Sequence, residues 1–148
     1  MKSREVARQI LSLIRKEHRK GNVLKKTIQE VWQSILDGNC IWITSNGKVV
    51  AAATLTVSED YLQIGSLVVH KDFRGCGFAS EVVARTIQLA KNKQSDRQIV
   101  AVAGTCAEKV FVKHGFVEHP KEEASEILWG GRSYDDWLNC DRKFMVLD

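Results

Sequence analysis

A chain of 148 residues, 44% hydrophobic and 27% charged, has the length of one ordinary domain and enough apolar sequence for a core. That composition excludes an intrinsically disordered chain, and no apolar run approaches the roughly 18 residues of a membrane-spanning helix. The polar start MKSREVARQ is not a secretory signal, so residues 1–148 are expected to form a single domain in the cytoplasm.

The formal charge of +4 is unevenly spread. Residues 1–26 carry a balance of +7, residues 27–117 one of +1, and residues 118–148 one of −4. A basic front end suits nucleic acid, acidic lipid or a phosphorylated small molecule, and equally a plainly solvated helix face. Cys40, Cys76, Cys106 and Cys140 lie far apart with no histidine at ligand spacing. This argues against a metal site and a disulfide framework, and leaves small buried hydrophobes with Cys76 as the exception.

In chain order, Val6, Ile10, Leu13 and Ile14 mark one apolar stripe of a helix over 4–20, with Ser3 as its cap and Gly21 at its end. A capping box, Thr27-Ile28-Gln29-Glu30, opens a second helix. Its stripe is Ile28, Val31, Trp32, Ile35 and Leu36, and Asp37-Gly38 stops it. The period then changes. Runs over 41–44 and 48–57 flank Asn46-Gly47, a strong hairpin signal. After the turn Ser58-Glu59-Asp60, a third strand over 61–69 is expected to put Leu62, Ile64 and Val68 on one face.

A helix over 77–93 follows, with Val82, Val83, Thr86, Ile87 and Ala90 inward, and then a short apolar strand over 99–103. Strand, crossover helix and buried strand make a βαβ unit, so those two strands should be parallel. Ala107, Val110, Phe111 and His114 sit at core spacing on a helix over 107–114 closed by Gly115. Residues 116–129 are weakly patterned; 134–138 predict a helical turn and 143–147 a last strand. The fold class is therefore α/β (α+β), a mixed, mostly antiparallel sheet flanked by helices.

The chemistry concentrates where Leu67-Val68-Val69 runs into Arg74-Gly75-Cys76-Gly77-Phe78-Ala79-Ser80. A strand enters a glycine-bearing turn that opens a helix, and the first amides of a helix have no intrahelical partner. With the helix dipole they form a phosphate cradle. Gly75 and Gly77 let the backbone approach a ligand closely, and Arg74 adds charge. A Walker A loop would need Gly-Lys-Ser/Thr, which is absent. A dinucleotide fingerprint should follow the first strand of a parallel sheet rather than an antiparallel meander.

The pattern Arg-x-x-Gly-x-Ala (Arg74, Gly77, Ala79) after LVV resembles the acetyl-CoA signature of the GNAT superfamily of N-acetyltransferases. A-E-K-V-F-V-K-H-G-F (107–116) is similar to its second motif, and the element order over 25–117 is the family's order. The resemblance implies an enzyme moving an acetyl group from acetyl-CoA, without a metal, to a primary amine of a small molecule or amino acid. It implies that the main chain of Leu67, Val68 and Val69 pairs with the pantetheine arm. It further implies that the amides from Arg74 to Ser80 bind the pyrophosphate and that an amide near Val68 is the oxyanion donor.

The resemblance breaks at three positions. Phe111 stands where the family's Tyr serves as acid, Gly104 where it has Asn, and Gln63 near the register of its Glu base. Acid and base then come from water or from Tyr61, His70, Cys106, Tyr134 or Glu126; alternatively the chain binds CoA without robust catalysis. Alkylation of Cys76 is expected to block CoA binding. In the family the first two helices and their connection wall the acceptor, which here places the basic segment 15–26, Lys20 and Lys25 included, beside an anionic acceptor. The rival reading is a basic nucleic-acid-binding or interaction module, against which stands the absence of interleaved aromatics and of known RNA-binding signatures. No membrane association is expected, and the acidic 118–148 tail offers a surface for a homodimer.

Overall fold

The structure, a computed structural model, describes residues 2–21 and 23–148; Met1 and Asn22, the latter within the basic segment 15–26, lie outside the described residues. Two helices come first, α1 (Ser3–Arg19) and α2 (Ile28–Leu36). The meander β1 (Cys40–Ser45), β2 (Lys48–Val57) and β3 (Tyr61–Val69) follows, then α3 (Phe78–Asn92), β4 (Gln98–Ala103) and α4 (Thr105–Lys113). The chain closes with β5 (Phe116–His119), α5 (Tyr134–Asn139) and β6 (Lys143–Leu147). The sheet order is β1-β2-β3-β4-β6-β5, and only β3 and β4 run parallel, across the α3 crossover. No helix among the described residues is long and apolar enough to cross a membrane.

Local chemistry explains most of these elements. In the capping box the Glu30 amide donates to Thr27 Oγ1 (3.1 Å) and the Thr27 amide donates to Glu30 Oε1 (3.0 Å), so each side chain satisfies an amide the helix start leaves open. Asn46 and Gly47 both take positive φ (52° and 73°), the geometry of a two-residue hairpin turn whose twist matches its strands. α3 buries Val82, Val83, Thr86, Ile87 and Ala90, the stripe its sequence period selects.

The two sheet faces carry different helices. Leu62, Ile64, Ala101 and Met145 pack under α3 and α4. On the opposite face Val49, Ala52 and Val68 pack under α1 and α2, and Val100, Phe144 and Val146 pack around Trp137 of α5. The indole N–H of the fully buried Trp137 donates to the Lys121 carbonyl at 2.9 Å.

Three expectations are corrected. Leu62, Ile64 and Val68 do not share a face: Leu62 and Ile64 join the α3 side, Val68 the α1 side. Pairing shifts from Thr54↔Gly65 to Ala52↔Val68, so β3 carries one extra residue, and Ser66 (φ 51°) absorbs it. A bulge of this kind inverts the alternation beyond it. The first helix begins at Ser3 itself, with Lys2 as its cap and no side-chain cap bond. In α2 only Val31 is buried, and Ile28 and Leu36 are exposed, because this nine-residue helix packs mainly along α1, where Val31 joins the α1 cluster. The weakly patterned stretch also contains β5, a four-residue edge strand paired only with β6.

Candidate functional site

The sheet opens next to the β3 bulge. β3 and β4 pair from Tyr61↔Gln98 to Ile64↔Ala101 and no further, while β3 continues to Val69 and β4 to Ala103. Past Ile64, therefore, the β4-facing edge of β3 has no strand beside it. A cleft of about 700 Å³ occupies the gap, reaching from the α3–α4 side to the link between α1 and α2.

Nine of the ten residues expected at the cofactor line this cleft. Leu67, Val68 and Val69 supply the strand edge; Arg74, Gly75 and Gly77 the turn; Phe78, Ala79 and Ser80 the start of α3. Gly75 and Gly77 have φ of 78° and 83°, left-handed values that a Cβ disfavours. Gly77 is the N-cap of α3 and no side chain caps the helix, which leaves its first amides available to a ligand. The Ser80 hydroxyl meets His114 Nε2 at 2.8 Å, tying α3 to the end of α4. The residues present thus fit a diphosphate at the helix start and an extended amide chain along β3.

Cys76 is the tenth. It is exposed and does not line the cleft; its thiol turns back toward the Arg74 carbonyl at 3.9 Å. Arg74 reaches the cleft, but its guanidinium is in an ion pair with Glu17 of α1, so less of its charge faces a ligand than sequence suggests. Two lysines that sequence reasoning missed, Lys109 and Lys113 of α4, line the same cleft. Their signal was available: both lie within the second motif, beside its apolar positions.

The candidates for acid and base scatter. Tyr61 is buried in the α5 cluster, where its hydroxyl accepts from the Ser125 amide at 3.4 Å. His70 Nδ1 accepts from the Asp72 amide at 3.1 Å, capping a short turn. Tyr134 packs on Trp129, and Glu126 is exposed. None of these four lines the cleft, whereas Cys106, Gln63, Gly104 and Phe111 do. Phe111 is 2% exposed and packs edge-on against Phe116 (5.1 Å), so core packing accounts for it fully. Among the described residues no cluster of histidine, cysteine or carboxylates suits a metal ion.

On the α1–α2 side the basic segment behaves differently from expectation. Lys25 is exposed outside the cleft, and Lys20 pairs with Glu17 at 3.6 Å beside a smaller hollow. Lys26 does line the cleft, and so do Arg132 and Arg142 from the tail that looked merely acidic. Arg142 is buried and donates to the Gly21 carbonyl at 2.8 Å. Burial, then the nearby Arg132, lower its pKa, and the adjacent Asp141 opposes them more weakly. Glu17 is the one carboxylate among the described lining residues.

Comparison with known proteins agrees with this geometry. Residues 7–116 match the Acetyltransferase (GNAT) family. The fold resembles the Mycobacterium tuberculosis protein Rv2747 in complex with CoA (TM-score 0.75, 20% identity, 97% of this chain and 94% of that one). It resembles N-acetylglutamate synthase from Neisseria gonorrhoeae, complexed with coenzyme A and N-acetyl-glutamate (0.74, 20%, 94% of this chain but 32% of that one). Diaminobutyrate acetyltransferase EctA from Paenibacillus lautus, in complex with its substrate and coenzyme A, covers 97% of this chain and 89% of its own (0.67, 13%). No curated protein matches the sequence.

Proposed function

For a chain that belongs to the GNAT family of acetyltransferases, we propose acetyl-CoA-dependent transfer to a primary amine of a small molecule by direct attack in a ternary complex. The observation that carries the reading is the convergence of two features on one cleft: a β3 edge left unpaired beyond Ile64, and the uncapped start of α3. The amides of Phe78, Ala79 and Ser80 hold the pyrophosphate, with the helix dipole assisting. The main chain of Leu67 to Val69 aligns the pantetheine amides as a strand would. An amide near Val68 receives the oxyanion.

In the reaction the amine lone pair attacks the thioester carbonyl carbon and the carbon–sulfur bond breaks. The nitrogen keeps the acetyl group and gives up one proton, and the departing thiolate takes up a proton to leave as the free thiol. With Phe111 and Gln63 at the usual acid and base positions, water carries both protons. Rate enhancement then rests on positioning and on the oxyanion donor. Calorimetric titration with CoA and with mixed DNA, at two salt concentrations, tests the binding half. Tight CoA binding is expected; salt-sensitive DNA binding without CoA binding would favour the nucleic-acid reading instead. Thiol release with an amine panel tests turnover. CoA binding without thiol release from any amine would leave a binding protein and end the enzymatic reading.

A further inference from the structure

The tail 118–148 sends two arginines into a cleft whose only described carboxylate is already engaged. Arg142 is 7% exposed, lines the cleft, and places one guanidinium N–H on the Gly21 carbonyl. A guanidinium has five donors in a planar fork. Arg132, half-buried and also lining the cleft, donates to the Trp129 carbonyl at 3.2 Å. Among the described residues no carboxylate lies within salt-bridge reach of either. Two like charges converge on one cleft, and one of them is buried. That arrangement is costly without an anion, and an anion between them relieves it.

Position says which anion. Arg142 bonds the end of α1, and Arg132 lies beside Leu24 of the α1–α2 link. Both therefore sit on the α1–α2 side of the sheet, the face opposite the one that α3 covers. Val23, Leu24 and Leu128 share this end of the cleft. A mostly apolar wall with planar donors fits a flat, singly charged carboxylate, which pairs with a guanidinium through two parallel hydrogen bonds. Trp129 in the right-handed helical region followed by Gly130 (φ 67°) makes a short backbone nest beside Arg132 that suits either oxyanion, so phosphoethanolamine is the ligand that separates carboxylate from phosphate.

We infer that Arg132 and Arg142 form a carboxylate seat at the acceptor end of the cleft, so that the acceptor is an aminocarboxylate held with its amine toward the thioester. The inference rests on the acetyl-transfer reading and narrows it. It also moves specificity from the basic first helix to the tail.

The test uses the full chain saturated with CoA. NMR titration with pooled L-amino acids, with their decarboxylated amines and with phosphoethanolamine reads binding without turnover. At least one amino acid is expected to bind ten times or more tighter than its decarboxylated partner. Where thiol release is measurable, the ratio of kcat/KM for that pair is the second readout. Arg132→Gln, at a half-buried position, should narrow the preference about tenfold, and Arg142→Lys should narrow it while keeping the charge. Lys25→Gln, outside the cleft, should leave it unchanged. Equal affinity for amino acids and amines, preference for phosphoethanolamine, or an Arg132→Gln preference equal to wild type each overturns the seat. Loss of the acetyl-transfer reading looks different: CoA itself fails to bind, or no amine releases thiol.

Discussion

Gly77 allows strain and steric occupancy at the cofactor loop to be separated. Its φ is 83°, and a Cβ added there meets no protein atom within 4 Å. Gly77→Ala therefore clashes with nothing in the protein, and its effect on stability is backbone strain alone, about 1–2 kcal/mol for an alanine held in the left-handed region. For 148 residues an unfolding entropy of about 2.1 cal/mol/K per residue makes 1 kcal/mol equivalent to about 3 °C, so Tm should fall by roughly 3–6 °C. Asparagine tolerates this conformation better than alanine, so Gly77→Asn should lose less. Both variants put a Cβ into open space beside the proposed pyrophosphate position, and CoA affinity should fall at least tenfold, about 1.4 kcal/mol. Thermal unfolding and calorimetry together give the two orders: Gly above Asn above Ala for stability, and Gly above both for affinity. If affinity instead follows Tm across the three proteins, loop conformation rather than bare backbone controls binding. If Tm does not move, the left-handed assignment is wrong.

Other consequences can be checked independently. Thr27→Ala removes one half of the capping box and should cost about 1 kcal/mol, read as a lower denaturant midpoint with unchanged slope. Trp137→Ala empties the centre of the α5 cluster and leaves the Lys121 carbonyl without its donor; a loss of about 3–5 kcal/mol is expected by chemical denaturation. Burial pushes the Cys40 thiol up to about 11 from its ordinary 9.0. A raised thiol pKa holds the folded state fully favoured below pH 9, and that contribution is lost between pH 9 and 11, amounting to roughly 2–3 kcal/mol. Stability measured across this window should fall with pH, and Cys40→Ala should flatten the slope. In timed alkylation Cys76 and Cys106, both exposed, should react first and Cys40 last, since Cys40 is buried; early loss of Cys40 would contradict its burial.

Elements with strong local signals were legible without coordinates. The Thr27 box, the Asn46-Gly47 turn and the α3 stripe each depend on residues within one or two turns of chain. So does the loop between β3 and α3, whose glycines and position carry the proposed phosphate cradle. What could not be read involves partners distant in sequence. Val68 changes face because β2 fixes a pairing register that a bulge at Ser66 must satisfy. Arg74 is compromised by Glu17, 57 residues away. The charge balance of −4 over the tail averaged away Arg132 and Arg142, which line the cleft.

Sequence alone therefore determined the kind of fold and pointed to the proposed cofactor loop, because helix periods, caps, turns and helix-start amides are local properties of the backbone. The proposed acceptor end depends on tertiary structure alone. Arg142 comes to Gly21 across 121 residues, and no spacing rule connects a residue ahead of β6 to the end of α1. Uneven charge suggested an anionic acceptor, but burial decides which cations line the cleft.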